Sequence, residues 1–336
     1  MQKKVYLDFV RALACILVIL QHCSFEVLQN TQNTSDFLMG NILDSISRMC
    51  IPLFLILTGL LVFSKKAYKK GDILKRIKKV FPDFLFLAIA LYVLRYENAG
   101  AFTSSLKDIP KMFFVLPELH LWYIYMLIPA YFFLPIFSGL RKNVPLKDIK
   151  PIFALFIAFA IFRSLSPMEF FKYGVPFMSV YIYILYGAYF KDMKSVTKKR
   201  QSDLIITAIT VTGMIAVGTQ ALFRETGELI ETLYLYDNIL VFLQAITVFN
   251  LIYLNRDLFE KSSKPIQSTL GFISKHSYIL FLSHYFFLDL VVKANIFNLN
   301  SKSIIPNTIL TFVFSLSFSF LYSKAKQIIP NKKSSV

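Results

Sequence analysis

Ten apolar runs punctuate the chain, approximately at 6–25, 42–63, 80–95, 119–138, 151–166, 174–190, 203–222, 237–254, 276–294 and 305–323, with polar stretches between them. About 20 apolar residues in helical form match a bilayer core roughly 30 Å thick. The pattern therefore predicts an all-α, polytopic membrane helix bundle of about ten transmembrane helices. The shorter runs begin or end in aromatic residues or proline, so their ends are set only to within a few positions.

The first run, Tyr6 to Ser24, reads YLDFVRALACILVILQHCS and carries Asp8, Arg11 and His22. An ionisable group at the bilayer centre costs about 2.5–3.5 kcal/mol on insertion scales, so such groups usually face an internal cavity or a partner. Helical geometry brings His22 to within about 20° of the face of Arg11, roughly 16 Å further along the axis. One wall of the helix thus offers a fixed cation near one membrane surface and a titratable imidazole half a bilayer deeper. Asp8 lies on that wall too, placed to neutralise Arg11. A blander account has Arg11 snorkelling to the interface and His22 satisfied at the far end; the pair together favours a shared interior.

Other polar residues sit in apolar company. The second run, RMCIPLFLILTGLLVF, holds Arg48, which calls for an internal partner, then Pro52 and Thr58-Gly59, which permit a kink and close helix approach. The stretch before the third run, SKKAYKKGDILKRIKKVFP, places Arg76 and Lys79 on one helical face. It suits either anchoring to anionic lipid or a phosphate-binding entrance. The fourth run contains Glu118, His120, Trp122, Tyr123 and Tyr125; the ninth contains His276, Ser277-Tyr278, His284 and Asp289. His276 and His284 lack metal-chelating spacing, and Asp289 is open to pairing with an arginine of another span.

Composition agrees with a membrane chain: of 336 residues 56% are hydrophobic, above the 45–50% usual for soluble domains, and mean hydropathy is +0.56. The formal net charge of +17 is a matter of topology. With a cytosolic N-terminus, alternate loops and ends hold 27 of the 37 lysines and arginines, which puts both termini in the cytosol and leaves no role for nucleic acid. The intervening loops are short and partly acidic: 26–41 has no Lys or Arg, and 223–237 holds Glu225, Glu228, Glu231 and Asp237. Three cysteines without ligand spacing imply neither a metal site nor a disulfide framework. Charges interrupt the first apolar run and no small-residue cleavage pattern follows, so it reads as a retained span. Residues 1–326 form a single transmembrane domain and 327–336 a cytosolic tail.

Five motifs in order resemble the acyltransferase-3 family of integral membrane acyltransferases. They are Leu7-Asp8 and Arg11 followed by ten residues and His22; Arg48, Pro52, Phe54, Thr58 and Gly59; Arg76, Lys79 and Pro82; His120 to Tyr123; and Ser277, Tyr278, Phe281, Leu282 and His284. Lys79 stands where the family pattern has a second arginine, keeping the charge but losing the bidentate fork. The resemblance implies O-acylation, commonly acetylation, of extracytoplasmic glycans from a cytosolic acyl-CoA, in a multi-pass protein of the bacterial plasma membrane. Some family members append an SGNH-type esterase-like domain; this chain ends soon after its tenth run and resembles the stand-alone type, as among enzymes modifying capsule, exopolysaccharide or lipopolysaccharide.

On that footing His22 is the expected general base, with Arg11 and Arg48 the other catalytic candidates and Arg48 the oxyanion stabiliser. Arg11, Arg76 and Lys79 are expected to bind the CoA phosphates of acetyl-CoA or another acyl-CoA. His120, Trp122, Tyr123 and His284 are expected to bind the glycan acceptor. Membrane lipids are the other partner, and no metal is required. The rival reading is a polysaccharide transporter or flippase whose buried charges line its path; the lack of a visible internal repeat counts mildly against it.

Overall fold

A computed structural model describes residues 4–63, 69, 71–96, 122–165, 181–193, 197–294, 296 and 298–328, and every regular element among them is helical. In chain order these are α1 (Val5–Asn30), α2 (Thr34–Ser47), α3 (Cys50–Thr58) running into a π-helical turn (Gly59–Phe63), α4 (Asp72–Tyr96), α5 (Trp122–Phe132), α6 (Leu134–Asn143), α7 (Leu146–Leu165), α8 (181–189), α9 (Gln201–Thr226), α10 (Ile239–Leu254), α11 (Arg256–Glu260), α12 (Lys264–Lys293) and α13 (Ile304–Ile328). Where they are described, the ten apolar runs are mostly helix, broken at Arg48–Met49 and at Phe133 and edged by a few turn residues.

Among the described residues, five stretches are long and apolar enough to cross a membrane: Val5–Asn30, Thr34–Phe63, Lys198–Thr226, Glu231–Leu254 and Ser301–Ile328. A sixth is added if α5 and α6, bent by 57° at Phe133, count as one. The sixth apolar run of the sequence lies partly outside the described residues, and two other runs fall short for physical reasons. The first turns of α4 carry Lys75, Arg76, Lys78 and Lys79, and α12 is interrupted by Ser, His and Asp along its length.

α1 is the central helix, touching α2, α3, α10, α11, α12 and α13. Its apolar stretch is 67% buried against 22% for that of α9, which lies at the periphery. On the α1 wall between Arg11 and His22, Ala14 and Cys15 are fully buried and Val18 nearly so. The second apolar run is divided at Arg48–Met49, between α2 and α3. Pro52 has no N–H to give the carbonyl of residue 48, and its ring crowds that carbonyl, so the helical ladder lapses there.

α3 and α8 meet through glycine. A Cβ on Gly59 would lie 2.0 Å from the Ile184 carbonyl oxygen, and one on Gly187 would lie 2.1 Å from that of Ile56. Only hydrogen at these positions lets the two backbones touch. On the other side of the bundle, α4 is clasped to α13 by Asp83, which accepts from Tyr322 Oη at 2.9 Å and Lys326 Nζ at 2.6 Å. Tyr278 of α12 adds a bond from its hydroxyl to the Val80 carbonyl at 2.7 Å. Asp289 pairs with Lys293 of its own helix at 2.6 Å, rather than with an arginine elsewhere, because the i,i+4 position lies directly above it.

Candidate active site

A cavity of about 270 Å³ opens beside the last turns of α1, and His22, Arg48 and Tyr236 are among its lining residues. α1 supplies His22 and, one turn on, Glu26; Arg48 comes from the break between α2 and α3; α12 supplies Phe281 and Tyr285. The segment leading into α10 contributes Glu231, Tyr234 and Tyr236.

The imidazole of His22 lies 5.2 Å from that of His284 and 5.4 Å from the ring of Tyr285, centroid to centroid. His284 is fully buried, with Nδ1 2.6 Å from the Phe281 carbonyl oxygen. A carbonyl only accepts, so Nδ1 carries the proton in that contact. Tyr285 in turn donates from its hydroxyl to Glu26 Oε1 at 3.3 Å, joining both helices around His22.

Arg48 is 5% exposed and forms an ion pair with Asp44, one turn earlier, through Nη2 and Nε. Its guanidinium carbon sits 4.0 Å from the centroid of the Tyr234 ring, a cation–π contact. Tyr234 is itself fixed by donating its hydroxyl to Asn41 Oδ1 at 2.5 Å. The carboxylate thus supplies the internal partner that Arg48 demanded and holds its fork in one orientation.

Gln21, next to His22, accepts from Tyr236 Oη at 3.0 Å and from Cys50 Sγ at 2.9 Å, while Tyr183 Oη donates to the Tyr236 carbonyl at 2.7 Å. These bonds lock the cavity wall from behind. Together the site offers an imidazole able to move a proton, an oriented guanidinium able to face developing negative charge, and aromatic walls.

The sequence candidates separate into groups. His22 and Arg48 line the cavity, and His284 stands directly behind His22. Tyr123 is buried one layer back, its ring 5.2 Å from that of Phe281. Arg11 lies toward the other end of α1, outside this cavity, and donates to Ser274 Oγ at 2.8 Å. Arg76 is half-buried with its guanidinium carbon 5.9 Å from the Tyr131 ring centroid, and its buried Nε has no partner among the described residues; Lys79 is exposed. His120 and the side chain of Trp122 lie outside the described residues.

Sequence reasoning passed over Gln21, Glu26, Asp44, Tyr234, Tyr236 and Tyr285. Two of these had a legible signal, since Glu26 follows His22 and Asp44 precedes Arg48 by the four residues that align side chains on a helix. Among the described residues no group of three or more His, Cys, Asp or Glu side chains is arranged to hold a metal ion.

Compared with known families, residues 4–324 match the acyltransferase-3 model, described as an acyltransferase domain. No curated protein and no solved structure matches the chain.

Proposed function

Because the chain belongs to the acyltransferase-3 family of membrane acyltransferases over residues 4–324, we propose that it moves an acyl group, acetyl first among them, from cytosolic acyl-CoA to a hydroxyl of an exported or cell-surface glycan. In this reading it is a multi-pass protein of the bacterial plasma membrane, with ten spans and both termini in the cytosol. The observation that carries the reading is that His22 of α1 and Arg48, from the break between α2 and α3, line one cavity.

The chemistry follows from the side chains. Neutral His22 takes the proton of the acceptor hydroxyl as its oxygen attacks the thioester carbonyl, a general-base contribution typically of about 10²–10⁴-fold. The new C–O bond forms and negative charge collects on the carbonyl oxygen. Arg48, which lines the cavity with Nε and Nη2 held by Asp44, meets that charge. The C–S bond then breaks, and the departing CoA thiolate takes the proton from His22. Arg11, Arg76 and Lys79 serve the CoA phosphates from the cytosolic end, where paired N–H donors suit phosphate oxygens.

Membranes carrying the protein are given acetyl-CoA labelled in its acetyl group, and the glycan is analysed for label. Label on polymer, lost in His22→Ala at equal protein abundance, is the expected result. Unchanged labelling in His22→Ala would remove the general-base role. A transporter would alter only where polymer accumulates and transfer no label.

A further inference from the structure

The ionisable groups that line the cavity are His22, Glu26, Arg48 and Glu231. Arg48 is paired with Asp44, and the carboxylates that line the cavity are Glu26 and Glu231. Glu26 is half-buried one helical turn from His22, and Glu231 and Gln29, which also line the cavity, are exposed. The sequence around these residues has the same sign: segment 224–231 holds three glutamates to one arginine, and 26–41 has no lysine or arginine. Phe25, Tyr234 and Tyr285 give flat apolar faces of the kind on which a sugar ring rests. At about 270 Å³ the space is at the small end of ligand pockets and suits a terminal sugar unit rather than a length of polymer.

Building on the acyltransferase reading above, we propose that this cavity selects its acceptor by charge, receiving a terminal sugar that is neutral or bears an amine and excluding uronic or other acidic sugars. A carboxylate brought into a partly dehydrated space beside Glu26 and Glu231 meets like charge at short range, where screening is weakest. An ammonium group in the same place gains a counter-ion, and a neutral ring is indifferent. Charge discrimination of this kind acts mainly by penalising the wrong partner.

The test uses the full chain in lipid nanodiscs and three probes of equal length: a neutral glucose trisaccharide, a glucosamine trisaccharide and a galacturonate trisaccharide. Equilibrium binding is measured by titration calorimetry at low and high salt, and transfer of labelled acetyl from acetyl-CoA is followed in the same samples. The neutral and amine-bearing probes are expected to bind at least about tenfold more tightly than the uronate at low salt, with the gap narrowing as salt rises. Glu231→Lys is expected to narrow the gap by about threefold or more, and Glu26→Gln to narrow it as well. Uronate binding as tight as the others, no binding of any probe, or a ratio unmoved by both substitutions overturns the proposal. A charge preference in binding with no labelled product leaves this inference standing and removes the acyltransferase reading instead.

Discussion

The imidazole rings of His22 and His284 lie 5.2 Å apart, tilted by 39°, and the Nδ1 proton of His284 is committed to the Phe281 carbonyl. In the proposed mechanism His284 positions the ring of His22 rather than touching the substrate. His284→Ala should lower kcat by about tenfold or more, as misplacement of a reacting group does, while KM for acyl-CoA holds steady and protein abundance is unchanged. Steady-state kinetics on purified protein check this. A KM effect with kcat intact would place His284 in donor binding.

The Asp44–Arg48 pair separates stability from chemistry. Asp44→Ala leaves a buried guanidinium without its counter-charge, and breaking a buried pair from one side costs about 3–5 kcal/mol. Thermal unfolding in detergent should show a marked fall in Tm. The double variant Asp44→Ala with Arg48→Met removes both charges and should recover most of that stability while remaining inactive. Activity in the double variant would dismiss the oxyanion role of Arg48.

Gly59 and Gly187 predict a purely steric failure. A methyl at either position would enter a backbone carbonyl at 2.0 or 2.1 Å, and both contacts are to main chain that cannot swing aside. Gly59→Ala and Gly187→Ala should each sharply reduce folded protein on size-exclusion chromatography. Gly139→Ala and Gly213→Ala, where nothing lies within 4 Å, are the matched controls and should keep it at the native level.

Arg76 tests the donor end. If its half-buried fork takes phosphate, Arg76→Ala should raise KM for acyl-CoA several-fold with little change in kcat. The rise should diminish at high ionic strength, as expected for an electrostatic contact near the surface. An unchanged KM would assign Arg76 to lipid anchoring, a role each basic residue near a membrane can fill for about 1 kcal/mol.

Much of this architecture was legible in the chain because apolar length is a strong signal, and the described parts of the ten runs are helix apart from breaks at Arg48–Met49 and Phe133 and a few terminal residues. The convergence of His22 with Arg48 was less direct. Position along α1 gave the depth of His22, and the charge of Arg48 demanded company, but only folding could show that the two share a cavity. Asp44 and Glu26 were hidden in plain view, each four residues from a residue already marked. Tyr234, Tyr236 and Glu231 gave no local sign at all, since their place in the wall depends on how the segment before α10 folds back over α1. Gly59 was read as a site of close approach, yet its mate Gly187 lies in a run whose own sequence says nothing of pairing.

Ala14 and Cys15 fill the α1 wall between Arg11 and His22 with no exposed surface. The α1 face between them is therefore filled, so a donor held at Arg11 would have to reach His22 past this stretch rather than through it.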